Sequence, residues 1–94
     1  MAYVLELADE AAEDLNDLIE SLPSARRRDA TDAVEEAFLR LEANPRLAQA
    51  GPLGRLTYRF SFVAGKVHYH WEGTCCYSED EERIIVTHVY RVPL

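Results

Sequence analysis

Apolar and polar positions alternate in "YVLEL" (Tyr3 to Leu7), with Tyr3, Leu5 and Leu7 on one side and Val4 and Glu6 on the other. That period of two predicts a short strand. The period then lengthens. Ala11, Leu15, Leu18 and Leu22 recur at steps of four, three and four, the apolar stripe of an amphipathic helix. Asp9 is placed to act as its N-cap, and Glu10, Glu13 and Asp14 follow where the positive end of the helix dipole favours acids. Pro23 ends this helix and Ser24 caps the next, in which Ala30, Ala33, Val34, Ala37, Phe38 and Leu41 keep the helical period. The second helix stops at Asn44-Pro45, because proline disfavours the α conformation for the residue before it. So short a break between the two predicts an antiparallel helical hairpin, with alanines on the second helix allowing close approach.

After a connecting loop, "RLAQAGPLG" (Arg46 to Gly54), strict alternation returns. Leu56, Tyr58, Phe60 and Phe62 oppose Thr57, Arg59 and Ser61; a tight turn centres near Gly65. "KVHYHWE" continues the pattern, with Val67, Tyr69 and Trp71 inward and Lys66, His68, His70 and Glu72 outward. A polar loop is expected from Gly73 to Glu82, then a last strand, "RIIVTHVYRV". Its buried face is ambiguous, since Ile84, Val86, His88 and Tyr90 compete with Ile85, Thr87, Val89 and Arg91. The expected order is β-α-α-β-β-β. This is an α+β fold, one domain over residues 1–94, with a helical hairpin on one face of a four-stranded, mainly antiparallel sheet. The other face is left open, and function is expected there.

Composition narrows the class. With 48% hydrophobic and 29% charged residues, the chain is a normal globular sequence rather than a disordered one. No apolar run approaches the roughly 20 residues needed to span a bilayer, and the N-terminus lacks the basic start and apolar stretch of a secretory signal. A cytoplasmic protein without membrane contact is expected. Net charge is −7, yet residues 1–50 hold 12 acids and 5 bases while residues 51–94 hold 5 of each, four of those acids lying together at Glu79 to Glu82. A small basic face in the second half is therefore compatible with an acidic whole. Cys75 and Cys76 are adjacent and read as two reduced thiols near a hairpin loop, because a vicinal disulfide demands a strained turn. Arg26 to Arg28 sit in the first turn of the second helix, against its dipole, and read as exposed side chains reaching the acids of the first helix.

The order of elements, together with Asn44-Pro45, Pro52-Leu53-Gly54, Tyr58-Arg59-Phe60-Ser61-Phe62, Gly65 and Lys66-Val67-His68-Tyr69, resembles the RelE/ParE superfamily of type II toxin–antitoxin toxins. The resemblance covers nearly the whole chain. It implies one of two activities: ribosome-dependent mRNA cleavage by basic residues and a tyrosine on the open sheet face, as in RelE-like members, or inhibition of DNA gyrase, as in ParE-like members. It also implies an antitoxin protein as partner, in a dimer or a heterotetramer, and no cofactor. Position by position, Arg59 falls on the first basic position of its strand, Lys66 on the basic position after the glycine turn, Arg91 near the basic position closing the last strand, and Tyr90 on the tyrosine. Ser61 stands where RelE-like enzymes often carry a second basic residue, and the sequence ends at Leu94, before the extension that supplies the tyrosine in many of these ribonucleases. Those departures, with the acidic charge, favour a second class of function, a toxin-like module that binds a protein partner without catalysis.

Attack of a 2′-hydroxyl on a phosphodiester needs a base, an acid and cations for the pentavalent phosphate. Histidine serves both proton roles near neutral pH. His68, His70 and Lys66 are expected on one strand face with Arg59 beside them, which supplies the set. A plain solvated strand face carries the same residues. A metal site is the rival chemistry, since His68 and His70 could be joined by His88, with Glu72 nearby.

Overall fold

The structure, a computed structural model, describes residues 3–51, 55–78 and 80–93. Strand β1 (Val4–Leu7) leads into helices α1 (Asp9–Glu20) and α2 (Ser24–Ala43), followed by a 3-10 turn at Pro45–Leu47. Four more strands follow: β2 (Gln49–Ala50), β3 (Leu56–Ala64), β4 (Val67–Ser78) and β5 (Arg83–Arg91). They form one mixed sheet in the order β1-β5-β4-β3-β2, with β1 parallel to β5 and the other pairs antiparallel. The α+β class and the order of helices and long strands are as the sequence predicts. The fifth strand is β2, two residues inside the expected loop, which pair with Leu56 and Thr57.

Both helices bury their apolar stripes against one side of the sheet. Ala11 and Leu15 of α1 and Ala30, Val34, Ala37 and Leu41 of α2 meet Tyr58, Phe60, Trp71, Ile84, Val86 and Val89. Trp71 is fully buried and packs edge-on against Phe60 and Phe62, with ring centroids 6.4 and 4.9 Å away. Neither helix uses a side-chain cap. Ala8 and Pro23 occupy the N-cap positions, so Asp9 and Ser24 are instead the first helical residues. The arginines of α2 do not reach the acids of α1. Arg26 donates to the Tyr69 hydroxyl, and Arg27 donates to the carbonyls of Glu20 and Leu22, a cation where the end of α1 leaves carbonyls unpaired.

Two local features depart from the simple alternation. The β3–β4 connection is a two-residue turn, Gly65 and Lys66, both with positive φ (58° and 68°), which suits the twist of a tight hairpin. Lys66 is therefore a turn residue and not part of the outward row on β4. Further on, β4 continues through Cys75, Cys76 and Ser78, where a polar loop is expected from Gly73. Its pairing with β5 slips there: Cys75 faces Val86 while Thr74 faces His88, so Thr87 is an extra residue on β5. The bulge explains the ambiguity of the last strand. Ile84 and Val86 are buried before it and Val89 after it, so each of the two competing faces is buried along part of the strand.

Candidate functional site

The sheet face away from the helices carries alternate residues of β3 and β4 in register: Thr57 opposite Thr74, Arg59 opposite Glu72, Ser61 opposite His70, and Val63 opposite His68. Tyr90 of β5 extends the row from the other side, opposite Glu72. Where β2 rises beside β3, this face dips into a concavity of about 620 Å³, lined by Gln49, Thr57, Arg59, Glu72 and Tyr90.

Glu72 is the hub. Its Oε2 accepts the Tyr90 hydroxyl at 2.5 Å, and its Oε1 lies 3.4 Å from Arg59 Nε. The carboxylate is largely buried, whereas the Arg59 side chain is 62% exposed. With the guanidinium mostly in water the contact is worth about 0–1 kcal/mol, so Arg59 is tethered on one side and available to an anion on the other. Donation to Glu72, with a smaller part from burial, pushes the Tyr90 phenol up to about 12. Tyr90 is thus a proton-bearing group that fixes the carboxylate.

Of the six residues singled out from sequence, Arg59 and Tyr90 line this concavity. His70 follows on the same face of β4, half-buried, and His68 lies beyond it toward the hairpin end, exposed. Lys66, in the turn, is separated from Arg59 by more than five residues of extended chain, roughly 17 Å. Arg91 faces Trp71 across the sheet and so projects to the helix side; its Nη2 comes within 3.5 Å of Ser21 Oγ at the end of α1. Tyr90 and Arg91 are adjacent in sequence, and alternation sends them to opposite faces. The three histidines do not converge. His88 stands opposite Thr74, four residues along β4 from His70, and its Nδ1 pairs at 3.4 Å with Asp14 of α1. Among the described residues, no group of three or more His, Cys, Asp or Glu is placed to hold a metal ion. Nor is any described helix long and apolar enough to cross a membrane.

Glu72 had no role in the ribonuclease chemistry expected from sequence, though its outward position was legible two residues after His70. Arg55, ahead of β3, precedes the alternating run that begins at Leu56 and so carries no face assignment from the sequence. The Pro52-Leu53-Gly54 part of the resemblance lies outside the described residues, as does Glu79 of the acidic loop.

No protein-family model and no curated protein sequence matches the chain. Solved structures do. A chain of the toxin–antitoxin complex RelBE2 from Mycobacterium tuberculosis superposes with a TM-score of 0.70 at 18% identity, covering 98% of this chain and 100% of that one. A free, doubly arginine-to-alanine substituted RelE toxin from E. coli gives a TM-score of 0.61 at 15% identity, covering 97% and 84%. At these identities the likeness is one of fold, over nearly the whole length. The resemblance read from the sequence thus extends to the three-dimensional architecture.

Proposed function

We propose that the chain is the toxin of a type II toxin–antitoxin module, a cytoplasmic, ribosome-dependent mRNA interferase held inactive by an antitoxin protein. The fold it shares with a chain of a toxin–antitoxin complex supports the toxin and its partner. One observation carries the chemistry: Arg59, Glu72 and Tyr90 meet in a single concavity on the uncovered sheet face, with His70 next on the same face of β4.

In this reading the Glu72 carboxylate takes the proton of the RNA 2′-hydroxyl. The 2′-oxygen attacks phosphorus, the bond to the 5′-oxygen breaks, and His70 gives that oxygen a proton. The products are a 2′,3′-cyclic phosphate and a 5′-hydroxyl. Glu72 and His70 are alternate residues of one strand, roughly 6.5 Å apart, a separation that leaves room for a phosphodiester between base and acid. Arg59 meets the charge that develops on the non-bridging oxygens. Tyr90 holds the carboxylate in place. Lys66, His68 and Arg91 lie outside this centre.

The second reading is the non-catalytic binding module, favoured by the pairing of Arg59 with Glu72, which lowers the charge offered to phosphate. Induced expression without an antitoxin separates the readings. Growth arrest with new mRNA 5′ ends inside ribosome-protected codons, both lost in Glu72→Gln and Arg59→Ala, is the expected result. Arrest with intact mRNA and blocked supercoiling would replace it with gyrase inhibition, and harmless expression with the binding module.

A further inference from the structure

A second depression lies farther along the same open face. It measures about 300 Å³ and is lined by Arg55, Thr74, Cys76, Thr87 and His88, together with Cys75. The bulge creates it: the extra residue on β5 sets Thr87 against Thr74, and their hydroxyls bond at 2.7 Å. Thr87 also donates to the Thr74 carbonyl at 3.1 Å, so the two hydroxyl protons are committed to holding the bulge. Arg55 and His88 remain as the groups that can meet a ligand. Among the described residues no carboxylate pairs with Arg55, which is exposed. His88 lines the depression while its Nδ1 lies 3.4 Å from Asp14 Oδ2. The opposing charge is that of Asp14, whose Oδ2 also accepts the Val89 amide at 3.1 Å.

We propose that this depression is a subsite for a backbone phosphate of the RNA strand, flanking the phosphate that reacts at Arg59 and Glu72. This rests on the ribonuclease reading of the open face. Arg55 and Arg59 are four residues apart in sequence, roughly 13 Å of extended chain, and line different depressions of the face. A single strand laid along the face meets them with different nucleotides, the arrangement by which basic grooves track a flexible backbone. The Arg55 charge also reaches Tyr90, where together with Arg59 it opposes the upward shift set by Glu72. Cys76 is exposed in the depression, whereas Cys75 is buried, with its thiol pushed up to about 11 by burial and, to a smaller extent, by Cys76. The exposed thiol is a handle for placing charge inside the subsite.

The experiment uses the full chain on bacterial ribosomes programmed with a short mRNA, measuring single-turnover cleavage against protein concentration. Arg55→Ala should raise the half-saturating concentration roughly tenfold and leave the limiting rate near that of the parent, as loss of one charge-assisted contact predicts. In mRNAs carrying one methylphosphonate at successive positions, a position near the cleavage site should weaken the parent by a similar factor and leave Arg55→Ala unaffected. Alkylation of Cys76 with iodoacetate, which adds a carboxylate, should weaken binding more than alkylation with neutral iodoacetamide. An unchanged half-saturating concentration in Arg55→Ala, methylphosphonate penalties that are the same in parent and variant at every position, or equal effects of the two alkylations would each overturn the subsite. If cleavage is lost in Glu72→Gln but Arg55→Ala is indistinguishable from the parent, the subsite alone falls. No cleavage by the parent removes both.

Discussion

Tyr90 and Glu72, on neighbouring strands of the open face, are joined by a 2.5 Å hydrogen bond from phenol to carboxylate. The bond raises the phenol from its ordinary 10.0 to about 12. A group raised on folding supports the fold fully below its unfolded value and loses that support as pH climbs through its folded value. Stability should therefore fall between pH 10 and 12 in the parent, and that component of the fall should vanish in Tyr90→Phe. Ultraviolet titration supplies the second check. The tyrosine absent from the Tyr90→Phe titration should ionise near 12 in the parent and move toward 10 in Glu72→Gln. Matching titration curves in the parent and Glu72→Gln would refute the link.

Trp71 sits fully buried, and its indole N–H has no hydrogen-bond partner among the described residues. Its contribution is therefore packing against Phe60 and Phe62, reduced by the cost of an unpaired donor. Trp71→Ala should destabilise by about 3–5 kcal/mol, the range for a large aromatic removed from a core. Trp71→Phe should cost less than half as much, since it deletes the stranded donor along with the extra ring. Urea denaturation of the three proteins measures both, and equal losses would refute the account of Trp71 as a packing residue whose place a phenyl ring can largely fill.

Gly65 has φ of 58°, and a Cβ there would stand 2.6 Å from Arg26 Nε. Gly65→Ala carries two penalties, the left-handed backbone and the collision with the Arg26 side chain, together about 1–2 kcal/mol. Only the second depends on Arg26. In a double-mutant cycle with Arg26→Ala, the cost of Gly65→Ala should shrink but not disappear. A cost unchanged by removing Arg26 would mean that the arginine moves aside freely.

The periodicity of β3 and the first half of β4 made the open face legible from the sequence, because both faces of those strands alternate without interruption. The face of Tyr90 was not legible. A bulge at Thr87 reverses the alternation partway along β5, and no single residue there announces it. Lys66 departs from the expected outward row for a similar reason. Gly65 marks a turn, but whether the next residue belongs to turn or strand depends on whether that residue accepts a positive φ, which lysine does here at 68°. The importance of Glu72 rests on a contact across strands, between residues 18 apart in sequence, and only the register brings Tyr90 over it.

Two carboxylates guard one sheet edge at different heights. Glu42 of α2 accepts the Leu5 amide at 2.7 Å, and Asp14 of α1 accepts the Val89 amide at 3.1 Å, where β5 runs on past β1. Each amide would otherwise be an open donor at an edge. Glu42→Ala and Asp14→Ala should each cost about 1–3 kcal/mol, because a partly buried N–H is left unmade. Amide hydrogen exchange gives the sharper readout. Leu5 should lose protection in the first variant and Val89 in the second, with the stability losses adding in the double variant. Unchanged exchange at Leu5 and Val89 would show that water replaces the carboxylates without cost.

His68 and His70 occupy the same face of β4 but differ in surroundings. His70 stands opposite Ser61, half-buried and next to Glu72; His68 stands opposite Val63, exposed and nearer the turn. If Glu72 is the base, the acid must reach the leaving oxygen of the same phosphate, and strand spacing puts His68 roughly 13 Å from Glu72, twice as far as His70. His70→Ala should therefore lower the limiting rate of mRNA cleavage on ribosomes by about 10²–10⁴-fold, the usual worth of a positioned general acid. His68→Ala should leave that rate close to the parent and affect at most the half-saturating concentration. An mRNA with a sulfur in place of the 5′-bridging oxygen separates catalysis from folding. Thiolate leaves without a proton, so this substrate should restore most of the rate of His70→Ala while leaving Glu72→Gln slow. Failure of the sulfur to rescue His70→Ala would assign the leaving-group proton to another residue.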